Sequence, residues 1–364
     1  MNKIIKKIIA LSGALAISAA CMANAFAAEF VDMPDNWTTE ALNNAVKNGL
    51  LYGEETADGS GMKINPDDNI TRAQMAAIIV RAFGASETTD ISAYTDVDQN
   101  AWYYTELSKA VAMNAFRGDG NLMNPQNNIT FQECFTVLSQ VLRLDIYNKE
   151  ETCLDVFADK ADIAQWAIPY ATAIVGNGFW EGIDGKLLPT TYITRSQFAV
   201  LMDNIVKTYI DEPGEYSEFE EGNVMVRTDG VIIKDATLSG DLIIGDGVLE
   251  GFDITNTKIA NNMYIRGGAD QVKISDGTTM NKCLLINPDI EIHIDATSSY
   301  DRCYTCHKTN IVNLSVILGD EAITDIEDTL GGEEKTEEKT EVTDENAEKA
   351  ETDETVEEET TDEK

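Results

Sequence analysis

Histidine is almost missing from this chain. Its 364 residues include two, His293 and His307. That scarcity excludes a His-rich metal site and a conventional His-based catalytic relay. Cations are also few: Lys and Arg together number 27 against 64 Asp and Glu, for a formal charge of −37. Nucleic-acid affinity comes from neutralising phosphates with Lys and Arg, so DNA and RNA are excluded as partners. Docking on anionic lipid is excluded on the same ground. After residue 30 no apolar run is long enough to span a bilayer. There is no Gly-x-Ser-x-Gly elbow, Walker loop or His-Glu-x-x-His pair, so nothing points to catalysis. Acidic pairs are too common for a glycosidase pair to be picked out. Gly118-Asp119-Gly120-Asn121 and Gly245-Asp246-Gly247 lack the EF-hand ligand order, and turn chemistry accounts for them. No metal or cofactor is expected. What is present is a hydrophobic fraction of 43%, enough for packed cores, on a length that suits two or three domains.

The two ends stand apart. Lys3, Lys6 and Lys7 precede an apolar run from Ile8 to Cys21, followed by Ala25-Phe26-Ala27. This is a secretory signal over 1–27, with maturation near Ala28. Lipidation at Cys21 is the competing reading; the residues Ser18-Ala19-Ala20 lack the aliphatic residue such sites favour. Export permits oxidised cysteines. At the other end, Glu333 to Lys364 holds sixteen acidic and four basic residues and no aromatic. It cannot offset its ordering entropy by burial, so 327–364 is expected to be a disordered acidic tail.

Between them lie internal repeats. Ile70-Thr71-Arg72-Ala73-Gln74, Ile129-Thr130-Phe131-Gln132-Glu133 and Ile193-Thr194-Arg195-Ser196-Gln197 are 59 and 64 residues apart. Trp37, Trp102 and Trp166 precede them at spacings of 65 and 64, and Pro66, Pro125 and Pro189 stand just before each Ile-Thr. Turns fall at 49–53, 114–118 and 178–182. Each Thr followed three residues later by Gln or Glu is a capping box that starts a helix. An apolar stripe at helical spacing follows: Met75, Ile78, Ile79, Ala82, Phe83 in the first copy, Cys134, Val137, Leu138, Val141, Leu142 in the second, and Phe198, Leu201, Met202, Ile205, Val206 in the third. Cys134 on a core position reads as a small hydrophobe. Each repeat is thus helix, turn, Pro loop, capped helix, and three must pack together to bury their faces. One local rule is broken. Arg72 and Arg195 sit at the positive end of a helix dipole, a placement that costs about 0.3–1 kcal/mol. An arginine fork beside open helix N–H groups would make a carboxylate pocket.

This Trp, turn, Pro and Thr-Arg-Ala-Gln pattern resembles the S-layer homology domain, three times over about 180 residues. The family hallmark ends in Glu, so Gln74 and Gln197 depart from it mildly. The resemblance implies a pseudo-threefold all-α bundle that binds secondary cell-wall polymer without covalent bonds. It implies grooves between repeats that recognise acidic, commonly pyruvylated, sugars. Carried over, the binding residues are Thr71, Arg72, Thr194 and Arg195, with Thr130 in the second copy and Trp37, Trp102 and Trp166 nearby. Phe131 replaces the arginine of the second repeat, which makes its groove degenerate or leaves Arg117 as the substitute. Three linked weak sites still give tight retention.

A second repeat follows the acidic stretch 211–221. Leu238 to Gly245, Ile259 to Arg266 and Met280 to Asn287 echo each other at 21 residues, and Val312 to Gly319 is a fourth copy displaced by 32. Short β-rich runs between Gly, Asn and Asp read as about four coils of a parallel solenoid. The longer step implies an 11-residue insertion near Ser298–His307. That insertion contains Cys303-x-x-Cys306-His307, the pattern of c-type haem attachment. The flanks lack helices to wrap a haem. A Cys303–Cys306 disulfide is preferred; pairing with Cys283 or Cys153, or a Zn²⁺ site with Cys283 and His307, are the other readings.

The fold expected is therefore α+β and multidomain. It comprises helical repeats over 28–88, 89–149 and 150–210, an acidic linker over 211–221, a β-solenoid over 222–326, and the tail. The function expected is a secreted, non-enzymatic cell-wall or S-layer protein. Its repeats bind an acidic wall polysaccharide or peptidoglycan-linked polymer, with neither nucleic acid nor membrane as partner once the signal is removed. Self-association is left open. A wall-anchored haem electron-transfer protein and a wall-anchored polysaccharide-active enzyme are the alternatives.

Overall fold

The computed structural model describes residues 30–146, 150–268, 271–286, 290, 292–305 and 311–312. The expected signal segment with Cys21, the expected acidic tail, Cys306 and His307 lie outside the described residues, as does Val312–Gly319 past its first residue.

Residues 30–206 are mainly helical. Their elements are α1 (Thr39–Lys47), β1 (Glu54–Glu55), β2 (Met62–Lys63), α2 (Arg72–Phe83), α3 (Tyr104–Ala112), α4 (Phe131–Val141), α5 (Ile168–Gly176) and α6 (Arg195–Ile205). The region is not purely α: β1 and β2 form an antiparallel hairpin, and three short 3₁₀ turns lie between 151 and 167. Capping boxes start the second helix of every repeat. The Thr71 side chain accepts from the Gln74 N–H, Thr194 from Gln197, and Thr130 is boxed with Glu133. The apolar stripes of α2, α4 and α6 are buried, Met75, Cys134 and Phe198 completely. Burial, followed by the charge of Glu133, pushes the Cys134 thiol well above its ordinary pKa, so it stays protonated as a core side chain.

The three repeats hand over to one another in a closed ring. The Ile70 N–H donates to the Ile193 carbonyl, Ile193 to Ile129, and Ile129 back to Ile70, at 3.0–3.1 Å. These isoleucines are fully buried.

The chain then winds into a parallel solenoid. Its strands are β3 (Thr208–Ile210), β4 (Gly214–Tyr216), β5 (Val224–Val226), β6 (Val231–Lys234), β7 (Thr237–Leu238), β8 (Leu242–Ile244), β9 (Gly251–Thr255), β10 (Lys258–Ile259), β11 (Asn262–Ile265), β12 (Gln271–Ser275), β13 (Thr279–Leu285), β14 (Ile292–Ile294), β15 (Ser299–Thr305) and β16 (Ile311–Val312). One sheet collects β3, β5, β8, β11, β13 and β15, with β7 and β10 joined to it; the other collects β4, β6, β9, β12, β14 and β16. Aligned residues Val224, Leu242, Met263, Cys283 and Cys303 mark four turns of 18 to 21 residues, after a shorter first step from Thr208. Inward residues such as Val226, Ile244, Ile265, Ile254 and Ile274 stack into a second core.

Two expectations are corrected here. Cys303 is not on an insertion: β15 pairs with β13 and places Cys303 opposite Cys283, so the next coil comes 20 residues on, not 32. Asp301 and Arg302 interrupt the apolar pattern and conceal this strand in the sequence. The acidic stretch 211–221 is not merely a linker either, because β4 lies within it and pairs with β6.

The solenoid is fastened to the helical region by two arginines. Arg227 donates to the carbonyls of Arg81 and Asn48, at the ends of α2 and α1. Arg266 donates to the carbonyls of Met113 and Val141, at the ends of α3 and α4, and pairs with Asp246 at 2.7 Å. Cations suit helix C-termini, where carbonyls lack partners. Between the arginines, the Gly247 N–H donates to the Phe83 carbonyl, and a Cβ on Gly245 would stand 2.6 Å from that same oxygen. Met225 and Ile243 of the solenoid complete the helical core.

Candidate functional site

The site grows from the first turn of each capped helix. The carboxylate pocket expected beside open helix N–H groups is not formed there. The N–H groups of Arg72 and Ala73 donate to Asn127 and Pro125, those of Phe131 and Gln132 to Thr191 and Pro189, and those of Arg195 and Ser196 to Asp68 and Pro66. Each Pro loop of one repeat thus caps the helix of another, and the N–H groups are spent.

The arginines are committed too. Arg72 gives Nε to the Met123 carbonyl at 3.0 Å and Nη2 to that of Arg117 at 3.3 Å, and lies over the Phe116 ring. Arg195 gives Nε to Ile64 and Nη2 to Tyr52, both at 2.8 Å. Burial lowers both guanidinium pKa values; Glu133 and Asp96 oppose this for Arg72, and Glu54, Asp68 and Asp32 for Arg195. Both stay charged. The broken dipole rule is thereby explained: each guanidinium turns from its own helix end to carbonyls of a neighbouring repeat, where a cation is favoured. Phe131 meets the equivalent loop differently. Fully buried, it packs on Trp180 at 5.1 Å between ring centroids.

The same loops are gripped from the other side by a feature that sequence reasoning missed. Asp32 accepts the N–H groups of Ile64 and Asn65, Asp96 those of Met123 and Asn124, and Asp159 those of Leu187 and Leu188, at 2.6–2.8 Å. The available signal was an aromatic two residues before each aspartate: Phe30, Tyr94 and Phe157. Those rings cover Gly53, Gly118 and Gly182, where a Cβ would stand 2.2–2.6 Å from a ring carbon.

These clamps shape an open groove of about 1080 Å³. Arg72 comes from the first repeat, Arg117, Thr130, Glu133 and Gln140 from the second, and Trp166 and Tyr192 from the third. Arg117 is exposed, and its guanidinium makes no hydrogen bond or ion pair among the described residues. Trp166 is 52% exposed and Tyr192 49%. Thr71, Thr194, Arg195, Trp37 and Trp102 do not line this groove. Trp37 and Trp102 are as exposed as Trp166, each just ahead of the first helix of its own repeat. The groove therefore offers an exposed arginine, amide and hydroxyl groups, two aromatic faces, and the carboxylates of Asp119 and Glu133. Among the described residues no group of three His, Cys, Asp or Glu could hold a metal ion. No helix among them is long and apolar enough to cross a membrane.

The model of the S-layer homology domain matches residues 29–76, 93–133 and 156–199. The helical region carries three S-layer homology repeats. Among relatives, a 125 kDa surface-layer protein of Lysinibacillus sphaericus is 28% identical over 243 residues, which is 65% of this chain and 20% of that protein. A cellulosome-anchoring protein of Acetivibrio thermocellus is 29% identical over 151 residues, 39% of this chain and 33% of its own. An amylopullulanase of Thermoanaerobacterium thermosulfurigenes is 25% identical over 180 residues, 49% of this chain and 9% of its own. The chain spans a third or less of the length of each of these three proteins. In this chain the S-layer homology repeats differ at one telling position, where Arg72 and Arg195 face loops through hydrogen bonds and Phe131 does so through an aromatic contact.

Proposed function

We propose that this is a secreted cell-wall or S-layer protein, held without covalent bonds to an acidic wall polysaccharide or peptidoglycan-linked polymer by its S-layer homology repeats. The observation that carries this reading is the groove where Arg117, Trp166 and Tyr192 stand open around the committed Arg72. A sugar face stacks on an aromatic ring, and a carboxylate pairs with an arginine fork. Arg117 is then the anion contact. Arg72 and Arg195, with Thr71, Thr130 and Thr194, hold loops and helix ends in place. Trp37 and Trp102 are the matching platforms on the other repeats. The relatives named for surface layers and for cellulosome anchoring support an anchoring role. The amylopullulanase is far longer than its matched part, so the shared region is read as an anchor rather than a catalyst. The solenoid is a structural and interaction module carried on that anchor.

The test is co-sedimentation of the full chain with wall sacculi, before and after the secondary polymer is stripped. Binding is expected to vanish on stripping. Arg117→Ala with Trp166→Ala is expected to lower the bound fraction by about tenfold or more, with helix content unchanged. Equal sedimentation of this double variant and the parent would sink the groove assignment.

A further inference from the structure

Tyr52, Arg117 and Glu181 stand just ahead of the ring-covered glycines Gly53, Gly118 and Gly182. Their places are equivalent. Each follows the left-handed turn of its own repeat, at Gly49, Asn114 and Gly178. The motif arginines reach the first two in the same way: Arg72 gives Nη2 to the Arg117 carbonyl, and Arg195 gives Nη2 to that of Tyr52. Glu181 is approached differently, because Phe131 packs on Trp180 next to it. All three residues are exposed. The repeats therefore present a phenol, an arginine and a carboxylate at one position.

The neighbours sharpen the contrast. In the groove of Arg117, Arg72 is a second cation. Of the two carboxylates there, Glu133 is spent on the N–H and the hydroxyl of Thr130, both at 2.8 Å. At the places equivalent to Arg72, Asp119, Glu133 and Gln140, the repeats around Glu181 have Phe131, Ile183, Gln197 and Asn204. Glu181 is the one charged side chain of that set. Its carboxylate makes no hydrogen bond or ion pair among the described residues. Within the set nothing offsets its charge.

We infer that the residue at this position sets the charge each groove accepts, and that Glu181 turns an acidic sugar away from the groove between the second and third repeats. That groove takes a sugar unit without an acid group. The inference rests on the proposed function above. Selectivity comes as much from repulsion built against the wrong ligand as from attraction for the right one. An exposed carboxylate with no partner supplies that repulsion where Arg117 supplies the attraction. The three repeats then read different units of the wall polymer, although they share one fold.

The experiment uses the full chain, wall polymer released from sacculi, and the same polymer with its carboxyl groups reduced to alcohols. Glu181→Gln keeps the shape of the side chain and removes its charge. It is expected to tighten binding of the acidic polymer by about two- to fivefold and to leave binding of the reduced polymer unchanged. Arg117→Gln is expected to weaken binding of the acidic polymer by about three- to tenfold. Asp253→Asn, at an exposed solenoid position, makes the same change in net charge as Glu181→Gln and is expected to have no effect. No gain with Glu181→Gln would overturn the inference while the Arg117 groove stands. An equal gain with Asp253→Asn, or an equal gain on the reduced polymer, would overturn it too. Unchanged binding with Arg117→Gln would remove the groove assignment on which the inference rests. A parent chain that binds neither polymer removes the proposed function itself.

Discussion

Arg72 and Phe131 occupy the same place in successive repeats and do the same mechanical work with opposite chemistry. Arg72 secures the 117–123 loop by hydrogen bonds to two carbonyls. Phe131 secures the 180–188 side by stacking on Trp180, with no exposure to water. Arg195 repeats the first solution on the 52–64 loop. The difference teaches that this position is there to hold a neighbour's loop, and that its charge is optional. A search for binding arginines by motif alone finds Arg72 and Arg195, the two with partners already in place. Arg117, whose guanidinium makes no hydrogen bond or ion pair among the described residues, lies outside the motif.

The comparison can be broken first at the aromatic side. Phe131→Ala leaves a hole beneath Trp180 and should cost about 3–5 kcal/mol, read as a lower urea midpoint with unchanged slope. Arg72→Met and Arg195→Met keep the length of the side chain and remove the donors. Each should cost about 1.5–3 kcal/mol, because two carbonyls lose charged partners. If either arginine variant unfolds at the parent's midpoint, the loop-holding role is refuted. The smallest effect belongs to the solenoid, where strand pairing is supplemented by carboxylates that accept from a neighbouring coil, as Asp229 does from the Leu249 and Glu250 N–H groups. Burial raises the Asp295 pKa, but the Asp276 N–H and the Ser298 and Thr297 hydroxyls outweigh it and hold the carboxyl at about 2. A folded-state pKa below the unfolded value near 3.9 gives stability that is present above about pH 4 and lost as pH falls toward 2. Asp295→Asn should therefore narrow the stability gap between pH 6 and pH 3 by a small amount, with no change in the helical signal.

How much of this was legible depended on the range of the physics. Capping boxes are three-residue signals, so the starts of α2, α4 and α6 could be read directly from Thr71, Thr130 and Thr194. The solenoid was legible through its 21-residue echo until β15, where polar Asp301 and Arg302 hid the rung. The aspartate clamps were not legible, because Asp96 meets its partners 27 and 28 residues away across a turn. The joint was hidden for a related reason. Arg227 lies in no copy of either repeat, Arg266 stands where the other copies have Gly245 and Asn287, and their acceptors include main-chain carbonyls, which leave no trace in a sequence. The groove needed three separate repeats to be brought together before Arg117, Trp166 and Tyr192 could be seen as neighbours.

The ring of Ile70, Ile129 and Ile193 has a consequence for how such a chain can grow or shrink. A ring of three returns to its origin, so a unit can be neither added nor lost without stranding a buried donor and a buried acceptor. The coils obey another arithmetic: each turn presents the next with the edge it received, and an extra turn disturbs nothing before it. Length variation among descendants of this chain should therefore be found in the coils, with the triplet passed on whole.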